Sequence, residues 1–418
     1  MKVVIMAGGK GTRISSLYNN IPKPMIKLDG KPIIEYQIEN FKKFGFTEFI
    51  ITIGPMGNQI IDYFGDGSKY DVTIEYYIEK QPLGTAGALF CLKNRLLEDF
   101  FLVNGDLLFD IDIFSFLQFH LKNDGYATVL SHSNDHPYDS SIIQSNHLGQ
   151  VVNWFYKGTQ HNWYKNQVNA GIHILSPNIL CACQANNTVD LDRDVLWPLI
   201  YQKKLYAYKT TEYVYDIGTP ERFNTAIHDL KFGMLKKKRL KNMQHAIFLD
   251  RDGVINKEKG IINDINDFEL LDGVSQAIRK MNKHGWLVIV ITNQPVIARG
   301  ELSIEGLEEI HDKMETLLGN GGAFVDDIFV CPHHPHRGYK GEIIEYKIEC
   351  DCRKPKPGML IEAAKKYNIT LSESWMIGNH IRDIEAGKMA GCKTAFIGNQ
   401  NNGLDSFENL LQFSKYKL

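Results

Sequence analysis

The chain of 418 residues carries 47 Lys and Arg against 49 Asp and Glu, a formal net charge of −2, which gives no reason to expect nucleic acid as a bulk partner. A hydrophobic fraction of 44% and a charged fraction of 23% are ordinary for folded protein, and the length leaves room for about two to four domains. Seven cysteines over this length exclude a disulfide framework.

The chain opens on a strand-like Val3-Val4-Ile5-Met6, without an apolar stretch of signal-peptide length. No apolar run approaches the ~18 residues of a bilayer span. The expectation is a cytoplasmic protein with no membrane partner; an oligomer is left open. The first strand runs into Ala7-Gly8-Gly9-Lys10-Gly11-Thr12-Arg13. Glycines at these spacings let backbone N–H groups turn toward an anion, and Lys10 and Arg13 add positive charge. The loop matches neither the dinucleotide pattern nor a P-loop. Pro22-Lys23-Pro24-Met25 follows, which by itself reads as a rigid turn with an exposed lysine. Pro32 then starts a helix with Ile34, Ile38 and Phe41 on one face, stopped by Gly45, and Phe49 to Ile53 is a strand. The alternation continues, as in a mostly parallel sheet between helices.

MAGGKGTR, then PKPM, then a helix resembles the sugar-1-phosphate nucleotidyltransferases. Four further stretches match that family: Gln81-Pro82-Leu83-Gly84-Thr85-Ala86-Gly87, Val103-Asn104-Gly105-Asp106, Val168-Asn169-Ala170-Gly171 and Asp216-Ile217-Gly218-Thr219-Pro220. The resemblance implies that Ala7, Gly8, Gly9, Gly11, Thr12, Gln81, Gly84 and Thr85 bind the nucleotide and that Asn169 and Gly171 face the sugar. It also implies Mg²⁺ on Asp106 and Asp216, with Lys23 and Arg13 neutralising the reacting phosphates. Where family members often carry Glu-Lys this chain has Tyr156-Lys157, so a sugar contact is altered or comes from elsewhere. Asp190-Leu191-Asp192-Arg193-Asp194 reads as acids in the first turn of a helix, favoured by its dipole.

After Pro220 a helical segment reaches the basic run Lys236-Lys237-Lys238-Arg239, expected to be a solvated linker. His245 to Asn256, HAIFLDRDGVIN, reads as a buried strand ending in two acids two residues apart, with a glycine for a tight turn. Val274, Ile278 and Met281 share a helix face that ends at Gly285. Strands at Leu287 to Ile291, Ile328 to Val330 and Trp375 to Ile377 place Thr292 and Asn379 at or just after strand ends. Cys331, His333, Cys350 and Cys352 form a Cys₃His set suited to a closed, structural Zn²⁺ site.

FLDRDGVIN, TNQ, CPHHP and CDCRKPKPGM in order resemble the haloacid-dehalogenase-like phosphatases, and among them the heptose 1,7-bisphosphate 7-phosphatases. The resemblance implies Asp250 as nucleophile, Asp252 as acid and base, and Lys354 as the neutralising cation. Thr292 and Asn293 would bind phosphoryl oxygens, and Glu258, Gly260, Gln294, Arg299 and Arg353 would line the substrate. Mg²⁺ would sit on Asp250, Asp252 and Asn379. Asn379 stands where the family has Asp, His380 where it has another base, and Pro295-Val296 where it has Ser-Gly. Asn keeps an oxygen ligand but removes a negative charge, which weakens Mg²⁺.

The expected fold is therefore α/β in two domains. Residues 1–230 are a Rossmann-like (GT-A-like) nucleotidyltransferase sheet, 231–244 a basic helical linker, and 245–418 a haloacid-dehalogenase-like Rossmannoid domain with a zinc loop. The pairing implies GTP, or another nucleoside triphosphate, and heptose phosphates as partners. A nucleotidyltransferase for another sugar with a scaffold-only phosphatase is the alternative, and a non-enzymatic sensor is a third reading. Costly clusters of charge at both sites argue against the third.

Overall fold

The computed structural model describes residues 1–9, 21–158, 162–181, 188–398 and 405–418. Clustering of contacts divides the chain into two units. One comprises 1–132, 143–154 and 169–239, and the other 133–142, 155–168 and 240–418.

The first unit is built on β1 (Val3–Ala7), flanked in parallel by β2 (Glu48–Ile53) and β4 (Phe100–Asn104). β3 (Thr73–Ile78) extends the sheet beyond β2, and β6 (Val168–Leu175) lies antiparallel beyond β4. Continuous apolar runs such as Val3-Val4-Ile5 are what a sheet covered on both faces requires. Helix α1 (Ile33–Lys42) buries Ile34, Ile38 and Phe41 as expected, and Pro32 is its N-cap. The helix ends a turn before Gly45, whose φ of +84° turns the chain. A two-stranded ribbon pairs β5 (Leu107–Asp110) with β7 (Tyr213–Asp216).

The second unit has a six-stranded, all-parallel sheet. Its order is β10 (Asp327–Cys331), β9 (Leu287–Asn293), β8 (Ala246–Leu249), β11 (Trp375–Gly378), β12 (Lys393–Ile397) and β13 (Ser406–Phe407). Period-2 alternation feeds two cores. Ile247, Leu249, Val288 and Val290 point to one face; Ala246, Phe248, Leu287 and Ile289 point to the other. Helix α2 (Val274–Lys283) covers the first face with Val274, Ala277, Ile278 and Met281. Strand order reverses on either side of β8, so its carboxyl end is the topological switch point where open α/β sheets bind ligands. No helix among the described residues is long and apolar enough to cross a membrane.

The basic run before the second sheet is less solvated than expected. Arg239 lies against the buried Asp110, its Nε donating at 2.7 Å, and Lys238 is partly buried, while Lys236 and Lys237 are exposed.

Candidate active sites

In the first unit a tight turn after β4 carries Asp106. The ladder of β5 and β7 sets Asp216 opposite Leu107, and Ile217 N donates to Asp106 O at 3.0 Å, so the two aspartates sit on adjoining backbone. Gln37 of α1 holds this turn by donating to Asn104 O and Leu107 O at 2.9 and 2.8 Å. Lys23 is not the exposed lysine that its turn suggests: its side chain is 12% exposed and pairs with Asp106. Arg222 donates to both oxygens of Asp216, at 2.7 and 2.9 Å. Two aspartates on adjoining backbone offer hard oxygens of the kind a divalent cation takes.

Ala7 is buried and Gly8 and Gly9 begin the glycine-rich loop; Gly11, Thr12 and Arg13 lie outside the described residues. Gln81 is exposed at the start of the 81–87 loop. Gly84 has φ +80°, and a Cβ there would stand 2.4 Å from Val189 O, so the loop lies directly on residues 189–191. Thr85 Oγ1 accepts from Leu191 N at 2.7 Å and donates to Asp190. Asp190 is a plain N-cap, accepting from Arg193 N, as its position in the sequence suggests. Asp192 is more than that: its Oδ1 accepts from Asn169 Nδ2 at 3.3 Å. Asn169 Oδ1 in turn accepts from Gly171 N and from His173 Nε2, at 3.0 and 3.1 Å. Burial pushes the His173 ring down to about 4, so it is neutral. Gly171 packs against Asn104, next to Asp106. Thus Lys23, Asp106, Asp216, Asn169 and Gly171 converge. Tyr156 and Lys157 fall in the other unit, where Lys157 pairs with Asp139.

In the second unit Asp250 leaves β8 at the switch point and is 4% exposed. The Lys354 ammonium sits 2.8 Å from Asp250 Oδ1 and 2.7 Å from Asp383 Oδ1, and donates to Ile291 O at 2.8 Å. The contact to Asp383 is off the direct hydrogen-bond direction and is an ion pair. Burial raises the Asp250 carboxyl to about 7 even against the pull of Lys354. Gly253 has φ +77°, and a Cβ there would stand 2.1 Å from Asn379 Nδ2. Only glycine lets β8 and β11 deliver these loops so close together. Among the described residues Asn379 Oδ1, which is buried, has no hydrogen-bond partner, as an oxygen placed as a cation ligand would.

Gln294 Nε2 donates to Asp252 Oδ2 at 3.0 Å and to Thr292 Oγ1 at 2.8 Å. Asn293 grips the Lys354 backbone from both ends, its Nδ2 donating to Lys354 O and its Oδ1 accepting from Lys354 N, each at 3.1 Å. That ties Asn293 to the lysine loop. A cavity of about 200 Å³ above these groups is lined by Asp250, Asp252, Glu258, Gly260, Arg299 and Arg353, with Arg382 beside them. Arg382, in the first turn of helix α4 (Ile381–Met389), was missed from the sequence. The only clue was a basic residue four positions after the end of β11, indistinguishable there from a surface arginine.

Cys331 Sγ, His333 Nδ1, Cys350 Sγ and Cys352 Sγ all lie within 4.8 Å of one another, with sulfur pairs at 3.2 to 3.6 Å. A tetrahedron with metal–sulfur bonds of ~2.3 Å has edges of ~3.8 Å, so these ligand atoms stand slightly closer together than a bound ion would hold them, and the set could take a zinc ion with a small outward shift. The adjacent Arg353 donates to His333 O at 3.0 Å, which links the cluster to the cavity rim.

Residues 2–231 match the family model described as nucleotidyl transferase, and residues 195–391 match that of haloacid dehalogenase-like hydrolase. Where the two matches overlap, residues 195–231 cluster with the first unit, and the hydrolase sheet begins at Ala246. A D-glycero-beta-D-manno-heptose-1,7-bisphosphate 7-phosphatase of Pasteurella multocida (strain Pm70) is 41% identical over 155 residues, 37% of this chain and 82% of the relative. The protein of the same name from Escherichia coli (strain K12) is 40% identical over 152 residues, 36% of this chain and 78% of the relative. Among solved structures, HddC from Yersinia pseudotuberculosis matches with a TM-score of 0.48 and 27% identity, covering 55% of this chain and 99% of its own. The chain therefore belongs to the nucleotidyl transferase family through its first half and to the haloacid-dehalogenase-like family of these 7-phosphatases through its second, a transferase and a phosphatase in one polypeptide.

Proposed function

We propose that the second half removes the 7-phosphate of D-glycero-α-D-manno-heptose 1,7-bisphosphate, and that the first half transfers GMP from GTP to the heptose 1-phosphate left behind. The products are phosphate, GDP-heptose and pyrophosphate. The observation that carries this reading is the cavity over Asp250: a buried carboxylate at its floor and the guanidiniums of Arg299, Arg353 and Arg382 along its wall. Three cations around one small cavity exceed what a single transferred phosphoryl group needs beside Lys354, and suit a substrate with a second phosphate.

In the phosphatase reaction an Asp250 oxygen attacks phosphorus and the bond to the sugar oxygen breaks. Asp252 gives its proton to that oxygen and then takes one from the water that cleaves the aspartyl-phosphate. Lys354 balances charge on the phosphoryl oxygens, with Thr292 beside it. Asp250, Asp252 and Asn379 would hold Mg²⁺, which supplies further charge neutralisation when bound. The Cys₃His set would hold a structural Zn²⁺ and fix the loop bearing Arg353 and Lys354. In the transferase reaction a sugar phosphate oxygen attacks the α-phosphorus and pyrophosphate leaves in line. Positioning by Asn169 and Gly171 and charge balance by Lys23 and Arg13 dominate, and Asp106 and Asp216 would hold Mg²⁺, which would supply further charge neutralisation.

The relatives named above carry the β-anomer in their names. The α-anomer is proposed here because a sugar nucleotidyltransferase of this type, fused to the phosphatase, points to the guanylyl branch of heptose activation. The test is incubation of the whole chain with each anomer of the bisphosphate, Mg²⁺ and each nucleoside triphosphate, following phosphate, pyrophosphate and nucleotide sugar by mass. GDP-heptose from the α-anomer is the expected product. Phosphate without nucleotide sugar makes the base or sugar assignment wrong, and neither product favours another sugar 1-phosphate with a scaffold-only phosphatase. Asn379→Asp should lower the Mg²⁺ concentration needed for half-maximal phosphate release; an unchanged requirement removes Asn379 from the metal site.

A further inference from the structure

The segment 338–347 lies between the two halves of the Cys/His cluster, Cys331 with His333 and Cys350 with Cys352, and nothing assigned above uses it. It folds on itself through Glu342, whose Oε2 accepts from Gly338 N and Tyr339 N at 3.0 and 3.2 Å and lies 3.3 Å from Lys347 Nζ. The Lys347 side chain is 0% exposed. The turn rests on the backbone that bears Arg299. Ile343 N donates to Ala298 O at 3.1 Å, and a Cβ on Gly300, φ +69°, would stand 1.8 Å from Gly341 O. Glycine at 300 is what permits that approach.

This turn sets the Tyr339 ring against Arg299. The guanidinium carbon of Arg299 and the ammonium of Lys347 each stand 4.6 Å from the ring centroid, within reach of cation–π attraction. The His334 ring meets it edge-on, the centroids 5.7 Å apart. Arg299 needs such a hold. Among the described residues it has no carboxylate partner, and its buried Nε makes no hydrogen bond. A long side chain with nothing to fix it spreads over many rotamers, and ordering it when a ligand arrives weakens binding. A ring stacked on the planar guanidinium removes much of that freedom in advance. Without a carboxylate, the charge of Arg299 is left for an anion in the cavity that it lines. Arg353 and Arg382 line the same cavity, and three like charges repel one another unless an anion lies among them.

We propose that Tyr339 is a positioning residue for substrate choice. Its ring holds the Arg299 guanidinium ready for the phosphate that is not transferred, and so favours a sugar bisphosphate over a monophosphate carrying the transferred group alone. This rests on the reading above in which the cavity takes a second phosphate, and adds the side chain that prepares the cavity for it.

Phosphate release by the whole chain, with no nucleoside triphosphate present, is measured from whichever anomer of the heptose 1,7-bisphosphate it hydrolyses faster, and from the heptose 7-phosphate. The wild-type chain should prefer the bisphosphate by about 10–10²-fold in kcat/KM, the range that one charged hydrogen-bonded contact supplies. Tyr339→Leu keeps apolar bulk but no ring. It should raise KM for the bisphosphate about 3–10-fold with kcat nearly unchanged, as one loosened side chain requires, and leave kcat/KM for the 7-phosphate as it was. Tyr339→Phe keeps the ring and should keep the preference. Arg299→Gln should lower the preference too, and Tyr339→Leu added to it should lower it no further. A wild-type chain without the preference overturns both this inference and the second-phosphate reading. A wild-type preference that Tyr339→Leu leaves intact overturns the role of Tyr339 alone. So does an equal loss on both substrates, which would assign Tyr339 to the fold of its loop, a Tyr339→Phe that fails as Tyr339→Leu does, or a further fall in the double variant.

Discussion

Arg251 stands between the two acids of the Asp250-Arg251-Asp252 motif, and its side chain is 1% exposed. Its Nε and Nη2 donate to Asp252 Oδ1 at 3.1 and 2.9 Å, and Nη2 also donates to Oδ2 at 3.0 Å. Nη1 lies 3.2 Å from His311 Nε2. A guanidinium only donates, so Nε2 must accept and the ring proton sits on Nδ1. Burial, with Arg251 adding to it, holds the His311 pKa well below its usual value, so the ring stays neutral. His311 is thus a positioning residue: it braces Arg251, which orients Asp252. His311→Leu should slow hydrolysis of a sugar phosphate ~10–100-fold, since an alkoxide must be protonated as it leaves. The pre-steady-state release of p-nitrophenolate from p-nitrophenyl phosphate, a step whose leaving group needs no proton, should be nearly as fast as before, and His311→Gln, which keeps an acceptor, should recover much of the loss. Equal loss on both substrates would reduce His311 to packing. Asp250, Asp252 and Lys354 were legible in the sequence because each lies in a local motif at a strand end. Arg251, His311 and Arg382 were not, because their roles exist only once distant segments meet.

Helix α3 (Ile304–Asn320), which carries His311, is capped by Ser303 Oγ accepting from Gly306 N at 3.0 Å. It buries Leu307, Ile310, Met314 and Leu318, an i, i+3, i+4 stripe that leaves Asp312 on a flank. Asp312 is half-buried beside Glu315, and its pKa is raised to about 7 by burial, then by Glu315, with Lys165 opposing. The sign follows from linkage: the folded chain keeps this proton up to about pH 7, while the unfolded chain releases it near pH 4. The stability tied to it is present at low pH and lost as pH rises through that window. Asp312→Asn should therefore leave unfolding at pH 4 nearly unchanged and raise the unfolding temperature of the second unit by about 2–4 °C at pH 8, if partial exposure discounts the effect to about 1 kcal/mol. A gain that is the same at both pH values would show that Asp312 does not titrate in this window. At this scale the strands and the α1 and α2 faces were legible because their periodicity is local. The exposed lysine expected at Lys23 and the solvated run expected at Arg239 were misread, because Asp106 and Asp110 come from 83 and 129 residues away.

At the scale of the whole chain, the second unit does not begin at a single boundary near residue 240. It takes in 133–142 and 155–168 from the first half of the sequence. These segments are held by α3: Tyr164 N donates to Thr316 Oγ1 at 2.8 Å, Thr316 Oγ1 donates to Tyr164 O at 3.1 Å, and Asn166 N donates to Glu315 Oε2 at 2.8 Å. Pro137 packs on Gly319, where a Cβ would stand 2.6 Å from its Cγ. Glu315 and Thr316 are each 5% exposed. Hydropathy and motif spacing cannot reveal such an exchange, since backbone N–H groups from one stretch satisfying side chains of another leave no periodic trace. A fragment of residues 240–418 would keep every phosphatase motif and both faces of its sheet, so it should fold. It would lack three hydrogen bonds to α3, one of them to a carboxylate. At about 1 kcal/mol for each neutral bond and about 2 for the charged one, less what water returns to the exposed groups, its unfolding temperature should fall by about 5–10 °C. The comparison is with the phosphatase transition of the whole chain by calorimetry. Adding Thr316→Val to the whole chain should move that transition part of the way toward the fragment's value, and the same change in the fragment should have little effect. A fragment as stable as the whole chain would mean that 133–142 and 155–168 only rest on α3 and that the second unit is complete from residue 240 onward.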